Sequence, residues 1–131
     1  MNQEEKNLLL KDLCARLPYG VKVRCDFGLD GEITEISRTK NNLYYCKYLD
    51  CKEGYCYIES LKPYLFPLSS MTEEEWEDYQ KIRMMDWVHG DINGTFINAG
   101  LIVDWLNAHH FDYRGLIEKG LAIDATNLNI Y

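Results

Sequence analysis

The chain has 131 residues, of which 47% are apolar and 27% are charged, and its 14 basic and 21 acidic side chains give a formal charge of -7. The apolar fraction excludes a disordered chain, so we expect one globular domain spanning residues 1–131. No stretch approaches the roughly 18 consecutive apolar residues of a membrane span, and the polar start lacks the pattern of a secretion signal. We therefore expect a cytoplasmic protein without a membrane partner.

The charge is divided unevenly between the two halves of the sequence. Residues 1–65 hold ten basic and ten acidic side chains, whereas residues 66–131 hold four and eleven. Binding to a phosphate backbone requires clustered Lys and Arg, which the second half does not supply. Nucleic-acid binding is therefore not expected.

The first 19 residues predict an amphipathic helix. Leucines recur at helical spacing at positions 9, 10, 13 and 17, while charged residues occupy the other side. Asn2 and Glu5 form a capping pair, and Pro18 with Gly20 ends the helix. This helix is expected to lay its leucine face on the rest of the domain.

Residues 20–62 predict an antiparallel meander of four short strands. Val21 to Phe27 alternates between apolar and polar residues, as a half-buried strand does. Glu32 to Arg38 is a second strand. Ile33 and Ile36 would face opposite sides of a regular strand, so a bulge or strong twist is expected there. Turn residues then separate strands at 43–49 and 55–59.

This meander resembles a small barrel of the Tudor-like or Src-homology-3-like kind. The resemblance rests on the sequence Gly31-Glu32-Ile33, similar to the glycine-bounded second strand of that family, and on the tight segment at 60–63. It implies a barrel that the chain leaves through a short helical turn. A curled sheet covered by helices fits the same pattern.

The remainder of the chain predicts a linker followed by helices. Pro63 and Pro67 frame an irregular linker loop at 63–71, and Thr72 with Glu75 forms a capping box that starts a helix reaching Gly90. An apolar face predicts a second helix from 96 to 109, and Asp112 is placed to cap a short helix at 113–119. A short strand at 121–123 and a polar tail complete an α+β fold whose helical part spans 72–131.

Two stretches, KPYLFPLSSMTEEE at 62–75 and DWLNAHHFDYRGLIEKGLAIDAT at 104–126, resemble a group of small uncharacterised proteins of gut anaerobes and their phages or mobile elements. The two stretches cover about a third of the chain and occur in the same order as in that group. The resemblance implies an accessory protein of a phage or mobile element. It implies no activity, cofactor or partner.

The five cysteines are expected to be reduced and buried, not to hold a metal. Cys46, Cys51 and Cys56 follow one another at five-residue spacing, with Cys25 on a neighbouring strand. Structural zinc usually takes its thiolates from tight two-residue knuckles, and two such knuckles are absent from the sequence. We expect neither a metal nor a cofactor.

A second candidate site is the cluster of His109, His110, Asp112, Tyr113 and Arg114, which His89, Asp91 or Asp104 could join. A histidine beside a carboxylate can act as a general base or bind a divalent ion, which is the basis for considering a small hydrolase. However, adjacent helical histidines point about 100° apart, and Asp112 also serves as a cap. We favour the structural role for His110, Asp112 and Arg114 and assign no catalytic residue.

A third candidate is a set of three tyrosines on the meander. If Cys56 faces inward, Tyr55 and Tyr57 face outward, and Tyr45 joins them from the neighbouring strand. Such a patch would suit a binding surface, because rigid aromatic rings dominate interface hot spots. The alternative, which we favour at this point, is that the tryptophan-bearing helices cover this face.

No phosphate loop, dinucleotide fingerprint, zinc-protease helix or nucleophile elbow occurs in the sequence. The sequence therefore favours a non-enzymatic protein-interaction module, whose partner is another protein or a second copy of itself. One alternative is an acidic inhibitor or nucleic-acid mimic that presents Glu73, Glu74, Glu75, Glu77 and Asp78 to a basic protein. The other is a small metal-dependent hydrolase built on residues 104–114.

Overall fold

The computed structural model describes residues 1–41, 43–48, 54–84 and 92–131, with residues 92–99 described as backbone only. Helix α1 spans Gln3–Arg16, α2 spans Glu73–Met84 and α3 spans Ile92–Ala108. The strands are β1 Lys22–Cys25, β2 Asp30–Glu32, β3 Glu35–Arg38, β4 Tyr44–Lys47, β5 Tyr55–Tyr57, β6 Leu61–Pro67, β7 Phe111–Asp112 and β8 Ile123–Asp124. The predicted α+β class is confirmed.

Helix α1 begins as the capping pair predicts and packs on the core through its leucines. The Asn2 side chain accepts a hydrogen bond from the Glu5 backbone N–H at 2.8 Å. Leu9 and Leu13 are fully buried, four residues apart on one side of the helix. The helix ends where Pro18 and Gly20 follow, with Gly20 at a φ of 71°.

The strands form two sheets that share a bent segment of chain. The first sheet has the order β2-β1-β6-β7, with β8 also pairing to β6, and the second has the order β3-β4-β5. Strands β2 and β3 are consecutive and separated only by Ile33 and Thr34, where the chain passes from one sheet to the other. This break lies where the parity of Ile33 and Ile36 predicts a bulge or strong twist.

The barrel implied by the Tudor-like resemblance is not closed. Strands β5 and β6 follow one another along the chain but belong to different sheets, and a single 3₁₀ turn at Ile58–Ser60 separates them. The two sheets are joined by the bend after β2 and by packing of their inner faces instead. One cluster of buried side chains joins α1, both sheets and the turns after β7.

The predicted linker loop at 63–71 is wrong, because most of it is the central strand of the first sheet. Strand β6 pairs with β1 on one side, where Pro63 lies opposite Val23, and with β8 on the other side from Tyr64. A proline lacks an N–H to donate, and Pro63 precedes the first β8 pair while Pro67 ends the strand. The prolines therefore mark positions in a strand and not a boundary between segments.

The C-terminal part also differs from the prediction in its short elements. The expected helix at 113–119 is a series of turns, although Asp112 still caps the backbone there. Helix α2 is described as far as Met84, and its predicted continuation to Gly90 lies outside the described residues. Among the helices of the described segments, none combines the length and the apolar composition needed to span a bilayer.

Candidate functional site

The two faces of the three-stranded sheet differ sharply in composition. Cys46 lies opposite Cys56 and is fully buried, so this parity of β4 and β5 faces the core. Tyr45 lies opposite Tyr57, and Lys47 lies opposite Tyr55. Because neighbouring residues of a strand point to opposite faces, the three tyrosines share the outer face of the sheet.

An open groove of about 530 Å³ runs across this outer face; it is lined by Phe27, Tyr45, Tyr55, Cys56, Tyr57 and Ser60. Tyr55 and Tyr57 are 42% and 53% exposed, and Tyr45 is partly buried. The rings of Tyr45 and Tyr55 pack edge to face with centroids 5.7 Å apart. The expectation that helices cover Tyr55 and Tyr57 is therefore wrong.

Phe27 belongs to this groove, although the sequence pattern predicts that it faces the core. Strand β1 ends at Cys25, whose carbonyl accepts a hydrogen bond from the Gly28 N–H at 2.9 Å. Gly28 adopts a φ of 81°, which suits glycine, and the resulting tight turn projects Phe27 outward with 84% of its surface exposed. The glycine after Phe27 was the signal that the alternation stops before it.

The backbone of β5 is arranged to accept another strand. The Tyr48 N–H donates to the Gly54 carbonyl at 2.9 Å, so the hydrogen-bonded pairs between β4 and β5 include Cys46 with Cys56. In an antiparallel pair these alternate with non-bonded pairs, so the N–H and C=O of Tyr55 and Tyr57 point away from β4. Strand β5 is the end strand of the sheet order.

The second candidate region is a buried ion pair under the start of β7. Arg16 and Asp12 are both fully buried, and Arg16 Nε donates to Asp12 Oδ2 at 2.8 Å. Arg16 Nη2 donates to the Phe111 carbonyl at 2.6 Å, while Arg114 Nη1 reaches the other Asp12 oxygen at 3.4 Å. Burial raises the pKa of Asp12, although its two arginine partners favour the charged form.

His110 lies beside this ion pair and is held in its neutral form. Its ring stacks on Tyr131 with centroids 3.7 Å apart, and its backbone adopts a φ of 62°. Burial, with the positive charges of Arg16, His109 and Lys22 nearby, lowers the pKa of His110 to about 4. The positive side chains around this ring disfavour the binding of a further cation, and the ring packs on Tyr131 instead.

Asp112, the carboxylate that follows the two histidines, already has structural partners. Both oxygens of Asp112 accept backbone N–H groups at 2.9 Å, from Leu116 and Ile117. The structure therefore does not join His110, Asp112 and Arg114 into one site, because Arg114 turns toward Asp12 and His110 toward Tyr131. Asp104 is exposed on α3, and His89 and Asp91 lie outside the described residues.

Metal ligands are not clustered in the described part of the chain. No group of three or more His, Cys, Asp or Glu side chains there is arranged to hold an ion. Cys51 lies outside the described residues. Cys46 is fully buried, and burial raises its pKa to about 12, which disfavours the thiolate that a metal requires.

No protein-family model, curated protein or solved structure matches this chain.

Proposed function

We propose that this chain is a non-enzymatic protein-interaction module whose aromatic groove receives an extended partner segment carrying Lys or Arg side chains. The observation that supports the proposal is the exposure of Phe27, Tyr55 and Tyr57 around one open groove. Aromatic rings gathered on a surface leave apolar area in water and are typical of binding sites. The resemblance to proteins of phages and mobile elements makes an accessory role the expected setting.

Two features favour a cationic segment as the occupant. The faces of aromatic rings attract cations, and Lys47 Nζ already lies 5.9 Å from the centroid of the Tyr55 ring. In the described structure no cation of the chain itself lies over Phe27, Tyr45 or Tyr57, so these rings are left for a ligand. The exposed carboxylate of Asp26, beside Phe27, attracts the same kind of partner.

The edge of the sheet favours an extended conformation for that segment. The outward backbone groups of Tyr55 and Tyr57 can hydrogen-bond a strand added beside β5. Alternate side chains of such a strand would then reach the rings on the outer face, because side chains of a strand alternate between its two faces. Backbone pairing would supply affinity, and the rings would select for Lys or Arg.

Calorimetric titration with a hexa-arginine peptide tests the proposal, with a hexa-glutamate peptide as the charge control. We expect binding of the arginine peptide only, and loss of most of that binding in Tyr57→Ser and Phe27→Ser. Leu128→Ser is the matched control, because Leu128 is 48% exposed and lies outside the groove. Equal affinity in all four proteins would contradict the proposal.

A second copy of the chain is a competing occupant of the groove. Sedimentation analysis of the protein without peptide distinguishes it from a foreign partner. A monomer supports the proposal as stated. A dimer that Tyr57→Ser dissociates would replace the cationic partner by self-association.

The acidic inhibitor or nucleic-acid mimic is the second candidate function. Glu73, Glu74, Glu77 and Asp78 are exposed on α2, within a 140° arc of the helix if each residue turns by about 100°. Glu75, in contrast, bonds back to the Thr72 N–H at 3.0 Å and serves the helix start. A mimic would lose its partner steeply as salt rises, whereas groove binding that includes ring and backbone contacts should depend on salt less.

A further inference from the structure

Helix α2 packs on the domain through one side and leaves the other side to solvent. No residue of α2 is fully buried. The Tyr79 ring faces α3, where its centroid lies 5.9 Å from that of Trp105, and Ile82 is half-buried on the same side. Trp76 and Met84 lie on another side of the helix, and each exposes half of its surface or more. Large apolar groups gathered in this way are typical of a contact surface.

The charges along α2 change sign between its start and its end. Five of its first six residues are acidic, whereas Lys81 and Arg83 in its last turn are basic. At about 100° per residue, a single solvent-facing row within about 120° of the helix carries both charges and both apolar groups. The row consists of Trp76, Glu77, Gln80, Arg83 and Met84, of which Gln80 alone is half-buried.

We propose that this row pairs with the same row of a second copy of the chain, with the two α2 helices antiparallel about a twofold axis at Gln80. Positions at equal distance from the axis then lie opposite one another. Trp76 meets Met84 of the second copy, and Glu77 meets Arg83 of the second copy. Each contact occurs twice, as in any twofold interface. Trp, Met and Arg are also side chains that protein interfaces favour.

The order of the charges favours a second copy over a foreign partner. Reversing the helix brings its acidic start beside its basic end, whereas a parallel pairing would set acid against acid. A uniformly basic partner would be repelled by Lys81 and Arg83, and a uniformly acidic one by the first turn. The helix dipole favours the same order of charges, but it does not account for the exposed Trp76 and Met84 in the row.

The size of the contact predicts a weak dimer. A helix of 12 residues is about 18 Å long, and a strip of that length covers less than the roughly 800 Å² that each partner buries in a standard interface. Exposed ion pairs add little affinity. The two pairs of Glu77 with Arg83 therefore fix the register, while Trp76 and Met84 supply most of the attraction.

Mixing two charge-reversal variants tests the pairing by sedimentation equilibrium. Glu77→Lys sets two cations opposite each other at each contact, and Arg83→Glu sets two carboxylates opposite each other. Each variant alone should associate at least about tenfold more weakly than the native chain. Their equimolar mixture should regain native association, because each contact then joins one cation to one carboxylate. A native chain that is monomeric up to about 1 mM, or a mixture no more associated than its components, would overturn the proposal.

Two controls separate this dimer from other causes of association. Glu118→Lys makes the same change in net charge as Glu77→Lys at an exposed position outside α2, and it should dimerise as the native chain does. Tyr57→Ser should also leave the dimer intact, because Tyr57 lies in the aromatic groove and not on α2. A dimer that Glu118→Lys weakens as much as Glu77→Lys does, or that Tyr57→Ser dissociates, would contradict the pairing of α2.

Single cysteines test the antiparallel register in a Cys14→Ser/Cys51→Ser protein, which lacks the exposed Cys14. Gln80→Cys places a thiol on the axis, where it faces its own counterpart. Lys81→Cys is the matched control, because its side chain points about 100° away from that of residue 80. Under mild oxidation, disulfide-linked dimers should form several-fold faster with Gln80→Cys. Equal rates for the two variants would overturn the register.

Discussion

The outer face of the β3-β4-β5 sheet and the cluster around Arg16 use polar and apolar groups in opposite ways. On the sheet, large aromatic rings are exposed, and Phe27 beside them has 84% of its surface exposed. Around Arg16, charged groups are buried and bonded within the chain. Exposed apolar surface is typical of a site that binds another molecule. Buried charges that are already paired within the chain need no such binding partner. Under the proposed function the first region serves recognition, and the second region serves stability.

Arg16→Leu should give the largest loss of stability. It leaves the buried Asp12 without its main partner, which typically costs about 3–5 kcal/mol of unfolding free energy. Urea unfolding measures the loss. Arg114→Ala is the control, because that side chain is 24% exposed and its contact with Asp12 is 3.4 Å, so its removal should cost no more than about 1 kcal/mol. Equal losses of stability in the two variants would show that the buried pair of Arg16 and Asp12 contributes no more than the partly exposed contact of Arg114.

Replacing both members of the buried pair sharpens this prediction. Asp12→Leu/Arg16→Leu removes the unpaired charge together with its partner, and apolar replacement of a buried pair is often nearly neutral. We expect the double variant to be more stable than Arg16→Leu alone. A double variant less stable than Arg16→Leu would mean that Asp12 stabilises the fold through another partner, such as Arg114.

Tyr131→Phe should have the next largest effect. The Tyr131 hydroxyl accepts from the Lys22 N–H at 2.8 Å and donates to the Tyr64 carbonyl at 2.8 Å. Its removal leaves both backbone groups without these bonds, at a cost of about 1–3 kcal/mol. Tyr57→Phe removes an exposed hydroxyl and should leave the thermal midpoint unchanged. A similar drop in both variants would show that the contrast between the two regions is wrong.

The neutral state of His110 predicts a pH dependence of stability. The unfolded chain takes up a proton near pH 6.5, whereas the folded chain does so only near a pKa of about 4. Unfolding therefore binds a proton between these values, so the free energy of unfolding should fall as the pH drops from about 6.5 to about 4. His110→Asn, which tolerates the positive φ, should flatten the profile relative to the native chain. If the unfolding free energies of the native chain and of His110→Asn change with pH in parallel, the low pKa assigned to His110 is wrong.

Thr72→Ala should cost about 1 kcal/mol, because the Thr72 hydroxyl accepts from the Glu75 N–H at 3.1 Å. Thr72→Ser keeps the hydroxyl and serves as the control in the same urea titration. If Thr72→Ala is as stable as Thr72→Ser, then the acidic start of α2 does not owe its sequence to helix capping, and the mimic gains weight.

Local patterns of the sequence predict the fold where neighbours along the chain determine it. The alternation in β4 and β5 correctly separates the tyrosine face from the cysteine face, and Asn2 with Glu5 marks the start of α1. Alternation predicts that Phe27 faces the core, because it does not show where a strand stops. The prolines of Leu61–Pro67 argue against a strand in the sequence, because a strand tolerates proline only at particular pairing positions, here set by how β1 and β8 lie beside β6.

Contacts between distant segments explain the remaining differences. Arg16 is 95 residues from Phe111, whose carbonyl accepts a hydrogen bond from it, and no local period predicts that a helical arginine will be fully buried. The final residues were expected to form a polar tail, but Tyr131 packs on His110 and bonds to Lys22 and Tyr64. The exposure of Tyr55 and Tyr57 likewise depends on where the helices pack.

A ¹H–¹³C NMR titration of the aromatic rings with hexa-arginine tests the central claim most directly, because it shows where a cationic segment binds. The account predicts shifts at Phe27, Tyr45, Tyr55 and Tyr57, with Tyr131, which lies outside the groove, unchanged as the reference. Shifts confined to Trp76 and Tyr79 on α2, with the four groove rings unchanged, would contradict it and favour the acidic mimic.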